Sequence, residues 1–193
     1  MKSLRTQFAH TWTCNSIRSF PTVDDETYIH LVRRLNEAIG KFAALLNVLL
    51  IALVCFDVLV RYVFKQTSAF FYEMEWHLFS AVFLLAAGWT LLNDRHVRVD
   101  IFYARLSERN RAIADIIGTL VFLLPFCIVI LATAIPYTLN AFTSGEGSPD
   151  AGGLPYRWII KSTIVIGALL LLLQGIALMM EKLMLIVNKK LEE

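Results

Sequence analysis

The chain has 193 residues, of which 57% are hydrophobic and only 18% charged, with a formal net charge of +2. Soluble globular domains are about 45–50% apolar and about 25% charged, so a water-facing shell around a single core does not fit. A small net charge without a long basic run also argues against nucleic acid as a partner.

Residues 1–40 are mixed and polar, with Pro21 and the acidic cluster Asp24-Asp25-Glu26. The first apolar run begins at Phe42 and is too long for the short core of a secretory signal, so no cleaved leader is expected. Four runs approach or exceed the roughly 20 residues that a helix needs to cross about 30 Å of hydrocarbon. The first, Phe42 to Val60, carries Asn47 and Asp57. The second starts near Phe70 and holds its charges, Glu73 and Glu75, close to that start. The third, Ile116 to Leu139, is uncharged and contains Pro125 and Pro136, which would kink it or end it early. The fourth starts near Trp158, with Lys161 near one end and Glu181-Lys182 near the other. Backbone groups inside a bilayer must be paired within their own segment, so the runs are expected as helices.

Between the second and third runs, Val99, Phe102, Leu106 and Ile113 recur at helical spacing among charged residues. That pattern suits a short amphipathic helix at the membrane interface, with an early start of the third span as the plainer alternative. The expected fold is therefore an all-α membrane protein with four transmembrane helices plus a short amphipathic interfacial helix between the second and third. A segment 1–40 precedes a membrane domain 41–188, with spans near 42–64, 70–92, 113–139 and 158–187, and a tail 189–193 follows.

Segment 1–41 holds six lysines and arginines, the connection 93–112 five and the tail three, whereas the other two connections share Arg61, Lys65, Arg157 and Lys161. By the positive-inside rule both termini and the middle loop are expected in the cytoplasm.

Asp57 and Arg61 share one face near the outer end of the first span, and Glu73 and Glu75 open the second. Charges within a bilayer are costly, so Arg61 is expected to pair with an acid across this hairpin; an ion or proton site is the functional alternative. His77, Ser80, Leu84 and Gly88 form a stripe of small and polar residues on the second span. Thr163, Gly167, Gln174, Ala177 and Glu181 form another on the fourth. Membrane helices associate through such stripes, either within the chain or with another subunit. The outer loop from Gly145 to Trp158 is rich in glycine and proline and specifies tight turns. Beside it, Tyr156 and Trp158 are expected at headgroup level, with Arg157 and Lys161 snorkelling.

No catalytic triad, phosphate loop or zinc-spaced cluster is present, and the histidines are not matched in depth as a haem would need. Cys14, Cys55 and Cys127 read as small buried hydrophobes. No enzyme activity, cofactor or metal is expected.

Three stretches carry a resemblance to a known family. Arg61-Tyr62-Val63-Phe64 ends the first span with Glu75 following. Asn93-Asp94-Arg95-His96-Val97-Arg98-Val99-Asp100 follows the second, with His96, Arg98 and Asp100 as an interfacial motif. Ser148-Pro149-Asp150-Ala151-Gly152-Gly153-Leu154-Pro155, then Arg157, Trp158 and Lys161, precede the fourth, with Glu146 just upstream. Together they resemble the small membrane subunit, the DctQ-type component, of tripartite ATP-independent periplasmic (TRAP) transporters.

The resemblance implies a bacterial inner-membrane scaffold partnered by a large multi-spanning DctM-type permease subunit and a periplasmic substrate-binding protein. Sodium-driven uptake of a small organic anion would be carried by the large subunit. Asp57, Arg61, Glu73, Glu75 and His77 would serve helix pairing or docking, and membrane lipid would surround the bundle. A membrane anchor of a redox complex and an independent small channel or exporter are the alternatives from other classes.

Overall fold

The computed structural model describes residues 23–93 and 106–192, and the described part is all-helical apart from its connections. Four helices are long and apolar enough to cross a membrane. The first is α1 (Val23–Val63) and the second α2 (Ala69–Leu92). The third consists of α3 (Glu108–Gly118), a π-helical turn (Thr119–Leu123) and α4 (Leu124–Thr143), in unbroken succession. The fourth is α5 (Trp158–Glu192).

α1 begins at Val23, well before the span expected from Phe42. At 1.5 Å per residue its 41 residues reach about 60 Å, twice the thickness of the hydrocarbon layer. Its sequence explains the extension. Ile29, Val32, Asn36, Ile39, Ala43, Leu46, Leu50, Leu53 and Asp57 recur at alternating three- and four-residue spacing, the period that keeps one helix face on a neighbour. Ile29, Val32, Asn36, Ala43 and Asp57 on that face are buried. The polar look of residues 23–41 comes from the opposite faces.

α5 is the hub. It packs against α1 and α2 on one side and against α3, the π turn and α4 on the other. Three apolar clusters mark these seams. Ile29 and Val32 meet Ala177, with Leu173 and Met180 around them. Ala43 and Leu85 meet Leu170, and Leu91 and Cys127 meet Leu171.

The small-residue stripes make contacts within the chain: Gly88 of α2 meets α1 and α5 and Gly167 of α5 meets α2, whereas Gln174, Ala177 and Glu181 of α5 meet α1. A methyl group added at Gly167 would lie 2.6 Å from the Leu84 carbonyl oxygen, and one at Gly88 would lie 2.1 Å from Asn36 Oδ1. These glycines let two backbones approach in an environment where packing, not water, drives helix association.

Between α1 and α5 Asn36 Nδ2 donates to Gln174 Oε1 at 3.1 Å, and also to the Val32 carbonyl. Tyr28 donates its hydroxyl to the Leu173 carbonyl.

Neither proline ends the third span. The π-helical turn lies directly before Pro125; the wider turn accommodates a ring that would collide with a regular preceding turn. Pro136 lies inside α4. The described part of the segment expected to form an interfacial helix, from Glu108 onward, is continuous with the third span. The rest of it, with Val99 and Phe102, lies outside the described residues. Cys127 is buried, whereas Cys55 is exposed on α1.

Candidate functional site

The end of the bundle that carries the 144–157 connection is organised by one carboxylate. Glu73 stands in the second turn of α2, and only 2% of it is exposed. Its Oε1 accepts from the Ser148 hydroxyl at 2.5 Å and from an Arg157 guanidinium N–H at 3.1 Å; its Oε2 accepts from the Leu154 amide at 2.5 Å. A charge-assisted bond to each of three donors is what a buried carboxylate needs in a poorly solvated place.

The loop is folded to deliver those donors. The Ser148 amide donates to the Leu154 carbonyl, the Gly153 amide to the Asp150 carbonyl, and the Arg157 amide to the Glu146 carbonyl. The Ser148 hydroxyl, while donating to Glu73, accepts from the Asp150 amide.

The paired glycines have separate tasks. Gly152 has φ +80°, a left-handed conformation that side chains rarely adopt. Gly153 gives room: a methyl group there would lie 2.3 Å from Ser148 Oγ and 2.8 Å from Glu73 Oε2. Pro155 is exposed at the loop surface.

A second latch lies beside the first. Lys161, buried on α5, donates to Glu146 Oε2 at 2.5 Å and sits over the Tyr137 ring of α4, 3.8 Å from its centre. Phe142 and Trp158 meet edge to face at 5.4 Å. Loop, α2, α4 and α5 are thus tied together at one end.

Several expectations change here. Arg61 does not reach an acid across the α1–α2 hairpin; it pairs with Asp57, one turn earlier on its own helix. The partner of Glu73 is Arg157, 84 positions further along the chain. Arg157 and Lys161 do not snorkel outward, because each is turned into the loop by a carboxylate. His77 Nδ1 donates to the Glu73 carbonyl at 2.6 Å, and its ring lies against Trp76. Glu75 joins none of this: its Oε1 is shielded and has no hydrogen-bond partner. His96, Arg98 and Asp100 lie outside the described residues.

At the opposite end, the one holding the described parts nearest both termini, the ties are looser. Arg33 of α1 meets Glu181 of α5 at 3.3 Å, and Lys182 meets Asp115 of α3 at 3.3 Å. The buried Asn36–Gln174 bond was invisible to sequence reading, although Gln174 stood in the stripe on the fourth span. A polar residue recurring within an apolar three-four repeat was the available signal.

Among the described residues no group of three or more His, Cys, Asp or Glu is placed to hold a metal ion. The bonds described here tie helices and loop to one another.

The family model for the DctQ component of tripartite ATP-independent periplasmic transporters matches residues 50–184. Comparison with curated proteins and with solved structures finds no match. The matched region takes in α2, the third span, the latched loop and most of α5. A multi-pass architecture of four apolar helices is what a membrane component of such a transporter requires. The chain belongs to the DctQ component family of TRAP transporters.

Proposed function

We propose that this chain is the scaffold half of a TRAP transporter's membrane part. It supports a large permease subunit that carries out sodium-driven uptake of a small organic anion handed over by a periplasmic binding protein. Both termini and the middle connection lie in the cytoplasm, as the distribution of lysine and arginine favours. The latched loop then faces the periplasm, beside the dock of the binding protein.

One observation carries the reading. The charged and amide side chains buried among the helices (Asn36, Asp57, Glu73, Lys161 and Gln174) each make a bond within the chain, with Asn36 Oδ1 alone of their oxygens and nitrogens buried and unpaired, while apolar faces point outward. Secondary transporters bind their cargo on broken helices with free polar groups near the midplane. Here the inward polar groups, Asp57 apart, instead fasten one element to another. The outward faces of α1, the π turn and α4, with Leu45, Leu49, Phe56, Leu59, Phe122, Phe126 and Val129 exposed, suit lipid and a larger membrane partner.

α1 adds a second argument. Beyond its bilayer-length part it still exposes apolar side chains, Leu31 at 65% and Leu35 at 41%, where water would otherwise meet them.

The test is reconstitution. Proteoliposomes with the large subunit, this chain and the binding protein should take up substrate along a sodium gradient. Omission of this chain should abolish or strongly reduce uptake. Uptake by this chain alone would refute the scaffold role.

A further inference from the structure

Glu75 lies two residues from Glu73 and turns to the other side of α2. It opens into a groove of about 290 Å³ between α1 and α2, lined by Leu50, Val54, Tyr72, Trp76 and Phe79. One oxygen of its carboxyl is shielded from solvent and has no hydrogen-bond partner. Leaving a buried polar group unpaired costs about 1–3 kcal/mol by mutational scales, and more if it is charged. Every other wall of the groove is apolar or aromatic. A carboxyl in such a setting is completed by a donor from outside the chain.

The groove restricts what that donor can be. It runs along α2 from Tyr72 to Phe79, which at 1.5 Å per residue is about 10 Å of depth. Across from them, Leu50 and Val54 sit two to three turns down from Arg61 at the end of α1. Glu75 itself lies about 5 Å along α2 from Tyr72, so a lipid amine is the competing donor, which crosslinking from position 79 separates from a protein side chain. A lysine or arginine from a neighbouring helix would lay its apolar stem along Leu50, Val54 and Phe79 and bring its charged head to Glu75, the usual division of such side chains. Tyr72 and Trp76 would cover the pair, and their rings provide faces for a cation.

We infer that the α1–α2 groove is a socket for one basic side chain of the large permease subunit, with Glu75 as its counter-charge. This rests on the reading that the chain assembles with such a subunit, and it names the point of attachment.

The experiment uses the assembled membrane complex, purified in mild detergent through a tag on this chain. A photoreactive benzoyl-phenylalanine in place of Phe79 should crosslink to the large subunit, and mass mapping should find a lysine or arginine within a turn or two of the linked site. Glu75→Leu and Glu75→Lys should retain roughly tenfold less permease or worse, since removing one partner of a buried charged pair leaves the other uncompensated. Reversing the mapped basic residue to glutamate should restore retention to Glu75→Lys.

The isolated Glu75→Leu chain should melt no lower than the wild type, because the Glu75 carboxyl has no partner within the chain, so lost retention would report the interface and not misfolding. A wild-type chain that retains no permease would overturn the assembly reading and this inference with it. Retained permease with crosslinks from position 79 to lipid alone would overturn the inference only. So would full retention by Glu75→Lys.

Discussion

Glu73 and Glu75 are the same residue type, on the same helix, two positions apart, yet they belong to two different regions. Glu73 faces the seam between α2 and α5 and is held by Ser148, Leu154 and Arg157. Glu75 faces the groove toward α1 and is held by nothing in the chain. Two residues turn a helix by about 200°, so neighbours of this spacing cannot share a face. The difference teaches where the chain is self-sufficient. At the loop end the carboxylate is fully bonded within the chain, with only the Arg157 Nε of that latch left without a partner; on the α1–α2 side the carboxyl has no partner in the chain.

The comparison can be broken most directly by removing each carboxyl in turn from the purified chain. Glu73→Leu should lower the thermal midpoint by about 10 °C or prevent folding, because it leaves Arg157 and the Leu154 amide buried without an acceptor. Glu75→Leu should leave the midpoint unchanged or slightly raised. Similar losses for both would show that the two sides are not different in kind.

A gentler test keeps both carboxyls. Gly153→Ala puts a methyl group against Ser148 Oγ and Glu73 Oε2, so Ser148 must swing away and one donor leaves Glu73. The expected loss is about 3–5 °C, from roughly 1–2 kcal/mol, together with faster proteolysis of the loop. An unchanged midpoint would mean that the Ser148 contact holds nothing.

The smallest effect is expected at the other end of the molecule. Arg33 and Glu181 are both well exposed, at 47% and 34% of their side chains. Arg33→Ala should cost less than about 0.5 kcal/mol, and the difference should vanish in high salt. A large, salt-independent loss would make that end as tightly latched as the loop end.

Much of this architecture was legible in the residues. Hydrophobic length pointed to four spans because a helix must match the bilayer; α2 runs from Ala69 to Leu92 and α5 starts at Trp158, near the ends expected, while α5 continues past the expected 187 to Glu192. The glycines of the 144–157 loop announced tight turns, and the stripes on the second and fourth spans announced contact faces.

The helix that carries the first span extends well before Phe42. Residues 23–41 look polar by average composition, and the averaging hides a narrow apolar seam at Ile29, Val32 and Ile39 that packs on α5 and α2. Pairing was the harder problem. Asp57, Arg61, Glu73, Glu75, Arg157 and Lys161 all stood out as charges in apolar surroundings, but charge alone does not say who meets whom.

What the amino-acid sequence determined by itself was membrane residence, helix number and the identity of the charges that have to be satisfied, since these follow from local hydrophobicity and backbone hydrogen bonding. Only the tertiary structure decided the partners. Arg61 stays on its own helix with Asp57, Glu73 takes a loop more than seventy residues away, and Glu75 is left open. The reason is geometric: the rotation of each helix about its axis is fixed by where Gly88 and Gly167 let α2 and α5 come close, and that rotation sends one carboxyl inward and the other out.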